Sequence, residues 1–392
     1  MNNRLDDIMF SGIVAVRDRL LQLDNPLRLE SGEPSFDTPE HIRDAMEKAL
    51  ADNATHYAPS TGIKPLRESI IRKVSVKNGI DYLSGIDDIA VTNGGMHAIY
   101  CTMQSILNEG DEVIVPQPNW TATGWMIRLA GGKLVMVRLR PELQYRWDLD
   151  ELKNRISPRT RAILINSPHN PTGGIQTRED LTALLDIAEE HRLYIVSDEA
   201  YEDIIYDHEH VSIAGLAKNR PVEVRDRLIT CFTFSKSYAM TGWRLGYAVC
   251  TGREYQSNLK KMILYTLNGV STPTQFAGIA ALDGPQDCVT QMVMEYRQRR
   301  DLLFEGVNQT EILACDRVPS GAFYLYARVT EQWEGSASDL VNLLIDNYSL
   351  GSVPGDVFYD DQKAIRFSYA CSTDMIEQAV ANLGRATLFR VT

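Results

Sequence analysis

Residues 228–247 read Leu228-Ile229-Thr230-Cys231-Phe232-Thr233-Phe234-Ser235-Lys236-Ser237-Tyr238-Ala239-Met240-Thr241-Gly242-Trp243-Arg244-Leu245-Gly246-Tyr247. An apolar run ends in two hydroxyls and a lysine, and a glycine-bearing return reaches Arg244 eight residues after that lysine. Alternate residues of a strand share a face, so Thr233 and Ser235 point the same way. A lysine at such a strand end, ahead of a return into the next apolar run, is poorly solvated. Desolvation lowers the pKa of an ammonium group and leaves a free amine able to attack a carbonyl. Two hydroxyls and the planar cationic fork of an arginine are what a phosphate dianion binds. An imine-forming lysine beside a phosphate site points to pyridoxal 5'-phosphate.

Working outward, short apolar runs alternate with longer amphipathic stretches. That is the pattern of an α/β fold, a mostly parallel sheet covered by helices. Seven strands are expected, at 89–92, 112–115, 133–138, 161–166, 193–197, 228–234 and 245–250. Helical patterns fall at 96–107 and 178–191, the latter behind Thr177 as N-cap with Asp180 three residues on. Residues 286–308 read as one long helix with Arg297, Arg299 and Arg300 on its surface. A strand at 321–326, a helix and another strand follow, which makes a smaller α+β domain. The expected partition is a large domain of residues 40–286, and a small one of residues 1–39 with 287–392.

Ligands of open α/β sheets bind beyond the carboxyl ends of the strands. Five of the expected strands end in unusual residues there: Asn93-Gly94-Gly95-Met96, Asn119-Trp120, Asn170-Pro171-Thr172-Gly173, Asp198-Glu199-Ala200-Tyr201, and Lys236. Gly94 and Gly95 open a helix whose free N–H groups suit a phosphate. Asp198 suits a protonated pyridine nitrogen, which makes the ring an electron sink. Tyr201 and Asn170 are placed to hydrogen-bond the ring oxygen, and Trp120 to stack on the ring face. Singly, each has an ordinary structural explanation: a turn, a helix-capping acid, a core tryptophan. Their convergence on one edge is the argument.

The stretch around Lys236 closely resembles the lysine signature of class I/II pyridoxal-phosphate aminotransferases, of fold type I. Further matching patterns are Ser31-Gly32-Glu33-Pro34, Tyr57-Ala58-Pro59-Ser60-Thr61-Gly62, Pro319-Ser320-Gly321-Ala322-Phe323-Tyr324, Val353-Pro354-Gly355 and Ile365-Arg366-Phe367-Ser368-Tyr369. The resemblance implies an enzyme that moves an α-amino group between an amino acid and a 2-oxo acid, with Lys236, Asp198 and Tyr201 as catalytic residues. It places Gly94, Gly95, Met96, Trp120, Asn170, Thr233, Ser235 and Arg244 around the cofactor. It makes Arg366 the partner of the substrate α-carboxylate, with Gly32 letting the backbone approach the same group. It assigns Tyr57 to the cofactor phosphate of a neighbouring subunit, in a homodimer with shared active sites. A C–S lyase, a decarboxylase or an oxidase on the same scaffold would keep the same lysine and phosphate cup.

Met96 stands where dicarboxylate-specific relatives often carry a hydroxyl or a base, and Ser11-Gly12-Ile13 near the expected substrate mouth is uncharged. No second arginine can be placed in the pocket from sequence alone. The amino donor is therefore aspartate-type or neutral/aromatic, with 2-oxoglutarate as the expected acceptor. The net charge of −12 argues against a nucleic acid or an anionic membrane as partner. A regulator of aminotransferase shape would need a DNA-binding segment, and the first forty residues are too few and too acidic. Six cysteines without a CxxC pair, no signal-peptide pattern and no apolar run of membrane-spanning length point to a reducing, cytoplasmic setting. No metal is expected, and His208-Glu209-His210 reads as a solvated loop.

Overall fold

Residue 5 and residues 8–387 are described by the computed structural model. Seven strands form one sheet, in the order Ile89–Thr92, Gly246–Val249, Leu228–Thr233, Tyr194–Asp198, Thr160–Asn166, Glu112–Gln117, Lys133–Arg138. All run parallel except Gly246–Val249, which is antiparallel to both neighbours. The expected α/β architecture is the observed one. The strand at 112 runs two residues further than its apolar stretch, because Pro116 and Gln117 stay in register with Val137 and Arg138 of the edge strand.

Alternation along the strands fills both faces of the sheet. Val113, Val115, Leu164, Val196 and Ile229 pack beneath the helices Gly95–Ile106 and Arg253–Thr266. On the other face Ile114, Ile163, Ile165 and Ile195 meet Leu181, Leu184, Leu185 and Ala188 of the helix Arg178–His191. That helix begins with a full capping box between Thr177 and Asp180, which satisfies two otherwise orphaned N–H groups.

A second, antiparallel sheet has the order Val353–Pro354, Ala364–Ser368, Tyr324–Val329, Leu313–Ala314. The early strand Leu27–Arg28 pairs in parallel with Leu350–Gly351, tying the first residues to the last third of the chain. The helix Asp287–Asn308 packs here, and it corrects one expectation. Arg297 is at the surface, but Arg299 and Arg300 are only 4% and 5% exposed. Helical spacing puts them on the face of the buried Tyr296 and Leu303. Arg299 donates to Ser35 Oγ at 2.9 Å and lies over the Phe36 ring, while Arg300 pairs with Asp207 at 2.9 Å. Their apolar stems go inward and their charges are met by partners.

Candidate active site

The carboxyl ends of five parallel strands border one cavity of about 390 Å³. Asp198 and Asn166 sit level at the ends of adjacent strands, and Asn166 Nδ2 donates to the Asp198 carbonyl at 3.1 Å. Trp120, Asn170 and Tyr201 line the cavity from the loops that follow three of the strands. Thr233, Ser235 and Lys236 enter from a fourth, and Gly95 and Met96 from the fifth. Gly32, Arg244, Tyr324 and Arg366 complete the wall.

Two residues singled out in the sequence are not on that wall. Gly94 is the N-cap of the helix Gly95–Ile106 with φ +82°, and a Cβ there would lie 2.6 Å from Arg244 Nη2. It shapes the turn from behind. Tyr57 is 91% exposed, on a separate groove bordered by residues 268–273.

At one end of the cavity Thr233 Oγ1 donates to Ser235 Oγ at 2.9 Å, so the two hydroxyls do share a face. Arg244 Nη1 is held by the Thr241 carbonyl at 2.8 Å. Gly246 lets the Gly94–Gly95 turn lie flat on the strand, since a Cβ there would be 2.8 Å from the Gly95 nitrogen. The N–H groups of Gly95 and Met96 belong to the first turn of their helix and have no intrahelical acceptor.

At the other end lie the ionisable groups. Asp198 accepts from the Ala200 N–H at 3.2 Å, and no cation is bonded to it among the described residues. Burial, aided by Glu199 and opposed by that N–H and by Lys236, pushes its carboxyl up to about 7. Lys236 Nζ donates to the Gly32 carbonyl at 2.7 Å. Burial brings its amine down to about 8; Glu33 opposes this, and Arg244 and Arg366 add to it. Arg366 is 1% exposed, with Nη1 on Asn170 Oδ1 at 3.0 Å and Nη2 on the Glu30 carbonyl at 2.7 Å. Its guanidinium lies between the rings of Tyr324 and Phe358, at 4.3 and 4.8 Å. Nε has no partner among the described residues. Asn170 is fixed in turn by its N–H on Asn166 Oδ1, so one hydrogen-bonded chain connects the Asp198 strand end to Arg366.

Sequence reasoning missed several wall residues. Arg17 and Arg28 both line the cavity, second arginines that the sequence alone did not place there. Arg17 follows Ile13 by one turn on the helix Gly12–Leu20, and that spacing was a usable signal. Arg28 is steered by the fully buried Glu30, through Nη2 to Oε1 at 2.8 Å. Its place on the cavity wall had no sequence signal. Nor did the placement of Tyr324, whose hydroxyl is 2.9 Å from that of Tyr201.

His210 is also corrected. It is not a freely solvated loop residue: its side chain is 11% exposed and Nε2 lies 2.8 Å from the buried Glu199 Oε2. Glu199, Glu202 and His210 present their ligating atoms within 4.8 Å of one another. The positive charge of this cluster comes from Lys73, paired with Glu202, and from Lys77. Loop composition could not reveal this, because Glu199 follows the strand Tyr194–Asp198 while Lys73 and Lys77 come from the helix Lys64–Asn78.

Residues 24–383 match the profile of the family described as aminotransferase class I and II. The chain belongs to this family. It is an aminotransferase dependent on pyridoxal phosphate. It is 39% identical to the aspartate aminotransferase of Geobacillus stearothermophilus, over 91% of this chain and 90% of that one. It is 34% identical to aromatic-amino-acid aminotransferase 2 of Thermococcus litoralis, over 97% and 96%. The solved structure of Thermus thermophilus aspartate aminotransferase with maleate superposes with a TM-score of 0.91 at 35% identity, over 98% and 99%.

The residues present fit the cofactor. Asp198 is a buried acid without a bonded cation, opposite in sign to a pyridinium N–H. The hydroxyls, Arg244 and the helix N-terminus match a phosphate, and Lys236 supplies an amine of lowered pKa between them.

Proposed function

We propose that this cavity is the aminotransferase active site, with Lys236 as its catalytic lysine. The observation that carries the reading is that amine, brought down to about 8 on a wall that also bears Asp198 and Arg366. When bound, the cofactor supplies an aldehyde for amines and a ring that accepts an electron pair. The chain does the rest. Thr233, Ser235, Arg244 and the N–H groups of Gly95 and Met96 hold the phosphate. Asp198 keeps a proton on the ring nitrogen, Tyr201 and Asn170 address the ring oxygen, and Trp120 covers the ring face. Arg366 has five N–H groups, two of them engaged by Asn170 and Glu30, and offers the others to the substrate α-carboxylate. Lys236 then carries the α-proton, a positioned acid–base step worth about 10²–10⁴ in rate.

The reading extends to substrates. Arg17 and Arg28 on the wall support a donor with a side-chain carboxylate, and 2-oxoglutarate as acceptor has the same charge pattern. Ile13, Val14 and the half-exposed Met96 favour a second reading, a neutral or aromatic donor. We further propose a two-fold dimer, supported by the exposed ring of Tyr57 beside an open groove and by the exposed ring of Tyr265, with Tyr57 reaching the partner's phosphate site. A cytoplasmic setting is in keeping with six free cysteines, and no helix among the described residues is long and apolar enough to cross a membrane. The pairing of Leu27–Arg28 with Leu350–Gly351 supports a large domain of residues 40–286 and a small one of residues 1–39 with 287–392.

The test is the half-reaction. Enzyme loaded with cofactor is mixed with single amino acids and the loss of the cofactor's visible absorbance is followed. Dicarboxylic donors should bleach it fastest; a faster response to phenylalanine would favour the second reading. Lys236→Ala should lower turnover by about 10⁴-fold, and near-normal turnover in that variant would sink the assignment.

A further inference from the structure

Tyr324 is 1% exposed and touches three parts of the site. Its hydroxyl is 2.9 Å from the Tyr201 hydroxyl, and its ring lies 4.3 Å from the Arg366 guanidinium. A Cβ on Gly32 would run into that same hydroxyl, so the bare glycine makes room for it. Edge-on contacts of Tyr201 with Phe323 and Tyr324, at 5.3 and 5.8 Å, keep the pair from turning apart.

A phenol hydroxyl carries one proton. Among the described residues each of these two hydroxyls has the other as its only hydrogen-bond partner. Tyr201 can therefore give its proton to a ligand in the cavity only when Tyr324 donates within the pair. A donor that itself accepts a hydrogen bond is polarised and donates more strongly.

We propose that Tyr324 is a positioning residue that acts through Tyr201. By donating to Tyr201 Oη it orients the Tyr201 proton toward the cofactor's ring oxygen and strengthens that bond. Its ring at the same time backs Arg366, so one side chain ties the cofactor contact to the carboxylate contact. The proposal rests on the role given to Tyr201 above.

The test uses the holoenzyme and the pH titration of its bound-cofactor absorbance. A hydrogen bond to the ring oxygen favours the oxygen's anionic form, so weakening that bond raises the apparent pKa of the chromophore. Tyr324→Phe keeps the ring over Arg366 and removes only the hydroxyl. It should raise that pKa by about 0.5 unit or more, and Tyr201→Phe should raise it further. The double variant, which leaves no unpartnered hydroxyl, should match Tyr201→Phe alone. A smaller rise in Tyr324→Phe, or an added rise in the double variant, overturns the proposal while leaving the role of Tyr201 standing. A titration unmoved by Tyr201→Phe overturns both.

Discussion

Asp198 and Glu202 are carboxylates four residues apart, 9% and 7% exposed, and they hold their protons in opposite ways. Burial works to raise both. At Glu202 it is overcome by Lys73, Lys77 and His210 together with the Asn78 hydrogen bond at 2.7 Å, and the carboxyl comes down to about 2. At Asp198 one backbone N–H and a more distant lysine are all that oppose it, and the carboxyl goes up to about 7. The fold surrounds Glu202 with counter-charge and withholds it from Asp198. A buried acid with its cation in place is a structural joint, whereas one without a cation faces a position that a ligand fills.

Two substitutions can break this contrast, and they should fail in opposite assays. On its proposed role, Asp198→Ala removes the anion opposite the cofactor ring nitrogen, and turnover should fall by about 10³-fold or more. The cofactor-free protein should keep or gain stability, since a buried acid without a bonded cation is gone. Glu202→Ala leaves Lys73 buried beside the rings of Phe232 and Tyr247 with its ion pair gone. Unfolding in denaturant should then show a loss of about 3–5 kcal/mol. If Asp198→Ala were the unstable variant and Glu202→Ala the inactive one, the assignment of structural and functional acids would have to be exchanged.

The same contrast marks how far the sequence could be read. Asp198, Tyr201, Asn170, Trp120 and Lys236 were legible because each follows an apolar strand, and parallel strands bring their ends to one edge whatever covers them. The seven strands themselves were legible for the same local reason. Arg28 and Tyr324 were not: Arg28 takes its place through the pairing of Leu27–Arg28 with Leu350–Gly351, and the contacts of Tyr324 with Tyr201 and Arg366 depend on how the second sheet folds over that edge. His210 looked like a loop residue, and Arg299 and Arg300 looked like helix surface, since polar type predicts exposure unless a distant partner is known. Glu199 for His210, Ser35 for Arg299 and Asp207 for Arg300 lie 11, 264 and 93 residues away in sequence. Residue type and short-range spacing carry the proposed cofactor side of the cavity; Tyr324 and Arg366 are brought to it by long-range packing.

The smallest effect, a difference between two pH slopes, sharpens the comparison most. In the cofactor-free protein the Asp198 carboxyl binds its proton more tightly folded, at about 7, than unfolded, at 3.8. Between those values the folded state holds more protons, so stability must fall as pH rises. The contribution is complete below the unfolded value and gone once pH passes the folded one. Glu202 has the opposite sign: its folded value of about 2 lies below the unfolded 4.5, and its contribution is lost as pH falls through that range. Above pH 5 Glu202 is flat, and the Asp198 slope can be read without it. Subtracting Asp198→Asn, which cannot ionise, from the parent isolates that slope. The difference in unfolding free energy should decline from pH 5 to pH 7 and level off beyond. A flat difference over that window would mean that the Asp198 carboxyl is charged in the empty site as well, and that a cation of the chain already serves it.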